Sequence, residues 1–146
     1  MSSRTAPKTI ILKGSGIAKE GIAVDSITPG MLLEISASGV ATHNSSSAAR
    51  GAFRVAREME IVGGSIDDVY EAGDTVCYSV MQPGSEVYAL LAAGQSVAIG
   101  DQLMSNAAGA LTAQTSTNPT FAIALEAVDN DPGTGGLPVR IKVEVV

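Results

Sequence analysis

The sequence has no tryptophan, one histidine and one cysteine, and its aromatic complement is 2 Phe and 3 Tyr. A single thiol excludes an intrachain disulfide and a cysteine-based zinc cluster. With so few large side chains, any core must be built from Val, Ile, Leu, Ala and Met. Charged residues are 16% of the 146, below the roughly 25% of an ordinary soluble domain. That composition suits a chain that hides much of its surface in an assembly. The net charge is −6, which leaves no general basic face for phosphates, so neither nucleic acid nor an anionic membrane is expected as a partner. The apolar run Ile10-Ile11-Leu12 is too short for a signal-peptide core. No stretch approaches the roughly 20 residues of a membrane-spanning helix. Synthesis and folding in a cytoplasm are expected.

What is present is glycine, 16 residues of it, and turn signals at short intervals that leave little room for long helices. Thr9 to Leu12 reads as a strand, Gly21 to Asp25 as a second, and Thr28-Pro29-Gly30 as a turn. Met31 to Ile35 and Val40 to Thr42 then form a strand and its return. Good helix formers over Ala48 to Met59 leave a short helix open there. Period-2 apolar character at Phe121, Ile123 and Leu125 favours strand for FAIALE, and for its counterpart FRVARE at Phe53, with Arg57-Glu58 outside the apolar face. Val76, Tyr78 and Val80 alternate as a half-buried strand. Gln82-Pro83-Gly84-Ser85 turns the chain, and Glu86 to Leu91 runs back as a hairpin. Val139, Ile141, Val143 and Val145 alternate with Arg140, Lys142 and Glu144 in the clearest strand of all, after a loop from Asp129 to Gly136.

The chain also resembles itself. Gly30, Leu33, Ala37, Gly39 and Thr42 superpose on Gly100, Leu103, Ala107, Gly109 and Thr112 at an offset of 70, and FRVARE on FAIALE at 68. Ala72-Gly73-Asp74 is a partial third copy of the turn at Gly100-Asp101. Two related β units follow. The expected organisation is an N-terminal arm over residues 1–12 and a single β domain over 13–146, with repeats at about 27–58 and 97–126. About ten short strands without a helical period imply an all-β fold, a compact barrel or sandwich.

The search for chemistry returns little. His43 lies in a Ser-rich loop with no nucleophile elbow to accompany it and reads as solvated, so a small hydrolase built on it has no motif behind it. Cys77 lies on an alternating strand and reads as a structural thiol. Gly14-Ser15-Gly16 lacks the rest of a dinucleotide fingerprint. Asp129-Asn130-Asp131 lacks the later ligands of a calcium loop. Asp67, Asp68 and Asp74 are ordinary turn aspartates. No catalytic residue, cofactor or metal is assigned, and an enzyme is not expected.

The segment PGSEVYALLAAGQSVAIGDQLMSNAAGALT, with FAIALEAVD and the closing LPVRIKVEVV, resembles the capsid decoration or cement proteins of tailed bacteriophages over roughly Tyr70 to Val146. That resemblance implies a β-tulip or jelly-roll-like fold and no catalytic residues. It implies a structural virion protein on the capsid exterior, made in the host bacterial cytoplasm, that bridges major capsid protein subunits and stabilises the expanded shell. It also implies a homo-oligomer, with a trimer favoured and a dimer possible. An arm containing Thr9, Ile10, Ile11 and Leu12 would then add a strand to a capsid sheet. A β-sandwich module that binds glycans on a surface structure is the alternative.

Overall fold

The computed structural model describes residues 7–43, 52–59, 62–115, 119–130 and 137–146. The described residues form strands and no α-helix. In order these are β1 (Ile11–Lys13), β2 (Gly16–Ile22), β3 (Leu33–Ser36), β4 (Gly39–Thr42), β5 (Phe53–Ala56), β6 (Thr75–Met81) and β7 (Glu86–Leu91). They continue as β8 (Gln95–Val97), β9 (Gln102–Ser105), β10 (Leu111–Ala113), β11 (Ala122–Ala124), β12 (Val128–Asn130) and β13 (Val139–Val145).

The second half closes on itself. Strands run β7-β10-β9-β11-β13, and β13 returns antiparallel to β7 from Val139↔Leu91 to Glu144↔Glu86. The result is a five-stranded barrel. Its interior is filled by alternating residues of each strand, among them Val87, Ala89 and Leu91, and Ile141, Val143 and Val145. The β13 alternation read from the sequence is therefore the inward set.

The first half repeats that ring, strand for strand. β2 pairs with β6, β6 with β5, Leu32 bridges to Val55 just ahead of β3, β3 pairs with β4, and Val40 of β4 bridges in parallel to Ala23 at the end of β2. Each contact has a counterpart. Ala23↔Val40 corresponds to the parallel pair Leu91↔Leu111, Leu33↔Thr42 to Leu103↔Ala113, and Leu32↔Val55 to Gln102↔Ile123. Gly21↔Val76 corresponds to Ala89↔Ile141. β4 maps to β10 at 71 rather than 70 because the β9–β10 loop is one residue longer, with Ala107 at φ 61°. Where this first ring closes, Gly21 leaves room for its neighbour: a Cβ there would run into Val40 Cγ2.

One apolar cluster, with Leu33, Val40, Ala56, Val76 and Tyr78, fills the first ring. Leu32, Phe53, Val55 and Met81 point away from it and join the cluster of the barrel, so the halves share a continuous core. The apolar face expected for FRVARE, Phe53 and Val55, is buried as read, whereas that expected for FAIALE is corrected beyond Phe121, since Ile123 and Leu125 are only half-buried. The ring interiors take Ala56, and Ala122 and Ala124, while Ile123 is only half-buried. A five-stranded ring is too narrow for large side chains at every inward position, so alanine goes in and the larger residue goes out.

Other expectations also change. β6 and β7 are not a hairpin, since β6 lies between β2 and β5 while β7 pairs with β13; the turn at Gln82 to Ser85 joins the two rings. The second strand starts at Gly16 and ends at Ile22, not Gly21 to Asp25. No helix occupies residues 52–59, where β5 lies, and residues 48–51 fall outside the described residues. Asp129 and Asn130 belong to β12, paired with β8. Glu58 is buried, because its Oε2 accepts the Ile10 amide at 3.0 Å.

Candidate interaction surface

The Gly-Asp turns are built alike and consume their carboxylates. Asp101 Oδ2 accepts the Ala98 amide at 2.9 Å, and Asp74 Oδ2 accepts the Glu71 amide at 2.8 Å. In the first copy Met31 stands in, its Sδ 3.4 Å from the Thr28 nitrogen. In each case the third-following amide also closes the turn, Met31 to Thr28, Asp74 to Glu71 and Asp101 to Ala98.

His43 is not the solvated loop residue expected. It is 6% exposed, its ring packs edge-on to Phe121 at 5.4 Å, and its Nδ1 lies 2.7 Å from Ser105 Oγ. Ser105 Oγ accepts the Ala107 amide at 3.1 Å. Either ring tautomer satisfies the pair, the hydroxyl donating to a bare Nδ1 or a protonated Nδ1 donating to Oγ, whose other lone pair takes the Ala107 amide. Burial lowers the imidazole pKa, against an opposing pull from Glu34. Ser105 is fully buried, so the pair is shielded from any substrate and serves as a polar tie in the core. Cys77 is half-buried with Sγ 3.4 Å from Met59 Sδ, as a structural thiol should be. Among the described residues, no group of three or more His, Cys, Asp or Glu is arranged to hold a metal.

The Arg140 guanidinium ties two loops to β13. Its NH1 bonds Asp67 Oδ1 at 3.2 Å, and its NH2 donates to the Pro29 carbonyl at 3.2 Å and to the Ile66 carbonyl. Three acceptors from two loops on one planar cation fix the spacing between them. Nothing in the alternation of β13 announced this.

The residues assigned to the arm lie against the barrel. β1 pairs antiparallel with β7 through Ile11↔Val87 and Lys13↔Glu86, and the Tyr88 amide donates to the Ile10 carbonyl at 2.7 Å. Ile10 is fully buried, Ile11 and Leu12 are half-buried and Thr9 is exposed. Residues 1–6 lie outside the described residues. The edge of β7 is thus covered in sequence by β1, by the Gly30 carbonyl that accepts from Leu90, and by β10.

Among the described residues, the matching edge of the first ring is open ahead of the point where Val40 of β4 meets Ala23. Val87, where β1 docks, corresponds to Lys19 at the offset of 68 that relates β7 to β2, and β2 ends its sheet with no named strand beyond it. β2 is exposed at every residue but Gly21, with Ile17 and Ile22 at 62% and 51%, and Ile35 on β3 at 53%. A seven-residue edge strand that is bare on both faces is a template for another strand. The sequence signal that marks it is the run GIAKEGI, which is too polar for a core strand yet fully paired on one side.

No family model matches the chain, and no curated protein sequence matches it. Among solved structures, the N base of head fiber gp8.5 of bacteriophage phi29 is similar, with a TM-score of 0.54 and 13% identity over 90% of this chain and 98% of that one. What the likeness establishes is the fold, and this chain has the fold of that fiber base.

Proposed function

We propose that this chain is a structural protein of a bacteriophage head, seated on the capsid exterior, where it binds the major capsid protein and bridges its subunits. The observation that carries the reading is the fold likeness to a phage head fiber base across nearly the whole of that chain. The cement-protein resemblance of the second half points the same way. The bare edge of β2 supplies what such a role needs, a row of main-chain groups and exposed isoleucines on a rigid ring. Thr9, Ile10, Ile11 and Leu12 take part through β1, which ends the six-stranded sheet, rather than as a free arm. A homo-oligomer on a symmetry axis, a trimer before a dimer, multiplies these contacts, and repetition around a shell turns modest contacts into firm attachment. Binding that is selective for the expanded lattice stabilises that state by mass action.

The test is to mix purified protein with undecorated expanded heads and measure occupancy by sedimentation. Stoichiometric binding is expected, and its absence at saturating protein would overturn the proposal. Ile17→Asp and Ile22→Asp, at exposed positions, should weaken occupancy while leaving the melting temperature in place.

A further inference from the structure

Beside β7 and β13 the outer wall of the barrel carries a cleft of about 500 Å³. Four separate segments line it: Lys8 ahead of β1, Ser65 to Asp67 between β5 and β6, Tyr88 on β7 and Arg140 on β13. Tyr70 and Tyr78 are buried in the first ring, so Tyr88, half-buried, is the tyrosine that reaches the surface. A second cleft of about 420 Å³ adjoins it, lined largely by apolar groups including Met31, Leu90 and Leu137. Arg140 and Asp67 line both, so their salt bridge is the partition.

The polar groups in the first cleft are of mixed type. Arg140 is held by two loops and acts as a wall. Asp67, with its side chain 83% exposed, spends Oδ1 on Arg140 and keeps Oδ2 as an acceptor. Ser65 Oγ accepts the Asp67 amide at 3.2 Å and retains its hydroxyl proton for donation. Lys8 is exposed and adds an ammonium. A phosphate-type ligand would meet Asp67 head on, and a wholly apolar one would strip water from Asp67 and Lys8 without replacing it. A pyranose has the complementary make-up: a C–H face for an aromatic ring, and a rim of hydroxyls that both donate and accept.

We propose that the paired clefts form a saccharide-binding site, with Tyr88 as the platform, Asp67 accepting from sugar hydroxyls, and Ser65 and Lys8 donating to sugar oxygens. The neighbouring apolar cleft receives the next residue of the chain. None of the residues lining this site lies on β2.

An array of bacterial surface polysaccharides and mucin-type glycans, probed with the full-length protein, tests the proposal. The retained oligosaccharide is then titrated by NMR against wild type and variants. At least one glycan is expected to be retained, with affinity reduced about tenfold by Tyr88→Ala and by Asp67→Asn, as for loss of a charged hydrogen bond. Tyr88→Phe, which keeps the ring, should retain most of the binding. Lys8→Ala, at an exposed position outside the core, should weaken it with no change in melting temperature. No retained glycan would overturn the site. So would retention that is equal in wild type, Tyr88→Ala and Lys8→Ala.

Discussion

The Gly30 amide donates to the Ala56 carbonyl at 2.9 Å, and the Ala56 amide returns a bond to the Met31 carbonyl at 3.0 Å. The same exchange recurs between Gly100 and Ala124 at 2.8 Å, and between Ala124 and Asp101 at 2.9 Å. The repeated glycine therefore marks the point where each hairpin is stitched to the following strand.

Both glycines have positive φ, 101° at Gly30 and 93° at Gly100, but their surroundings differ. A Cβ at Gly30 would lie 3.1 Å from the Tyr88 carbonyl, whereas at Gly100 it would meet open space. Gly100→Ala is expected to cost about 1–2 kcal/mol from backbone strain alone. Gly30→Ala should cost measurably more, because its neighbour is main chain. Chemical denaturation of the two variants compares them directly, and equal losses would contradict the geometry.

Glu58 holds β1 in place through the Ile10 amide, while its Oε1 is buried without a hydrogen-bond partner. Glu58→Ala strands the Ile10 amide and is expected to destabilise by about 1–3 kcal/mol. Hydrogen exchange should speed up first at Ile10 to Lys13. Uniform acceleration across the barrel would show that β1 is not separately anchored.

Tyr70 donates to the Arg57 carbonyl at 2.6 Å, and burial pushes its pKa up to about 12 from 10.0. Because the folded value is the higher, its contribution is complete below pH 10 and is lost as pH rises toward 12. That loss is on the order of 2 kcal/mol. Stability measured across this window should fall more steeply for wild type than for Tyr70→Phe.

His43 is the opposite case. Its folded pKa is depressed below 6.5, chiefly by burial. The stability it brings is present above 6.5 and declines as pH falls through that value toward the folded pKa, since the unfolded chain takes up the proton first. Replacing His43 with Phe should flatten the acid limb of a stability–pH curve. An unchanged limb would place the acid sensitivity elsewhere.

Several features were legible in advance because they are local. Turn chemistry at Pro29-Gly30 and Gly100-Asp101, the alternation of β13 and the offsets of 70 and 68 announced an all-β chain with related halves. The β2–β7 and β6–β13 correspondences were hidden, since Lys19 matches Val87 and Gly21 matches Ala89, and side chains so different leave no sequence trace. His43 and Glu58 were misread for a related reason. A polar residue is drawn inside when tertiary structure supplies its partner, here Ser105, 62 residues away, and the Ile10 amide, 48 residues away.

By itself the sequence determined the all-β character, most of the turns, the small-residue core and the repetition, because backbone preference and side-chain period act over a few residues. Tertiary structure decided which strand closes each ring, which pleat faces inward and which edge stays bare. Those choices depend on how much volume a five-stranded ring can hold and on whether a distant segment, as β1 does at β7, arrives to cover an exposed row of main-chain groups.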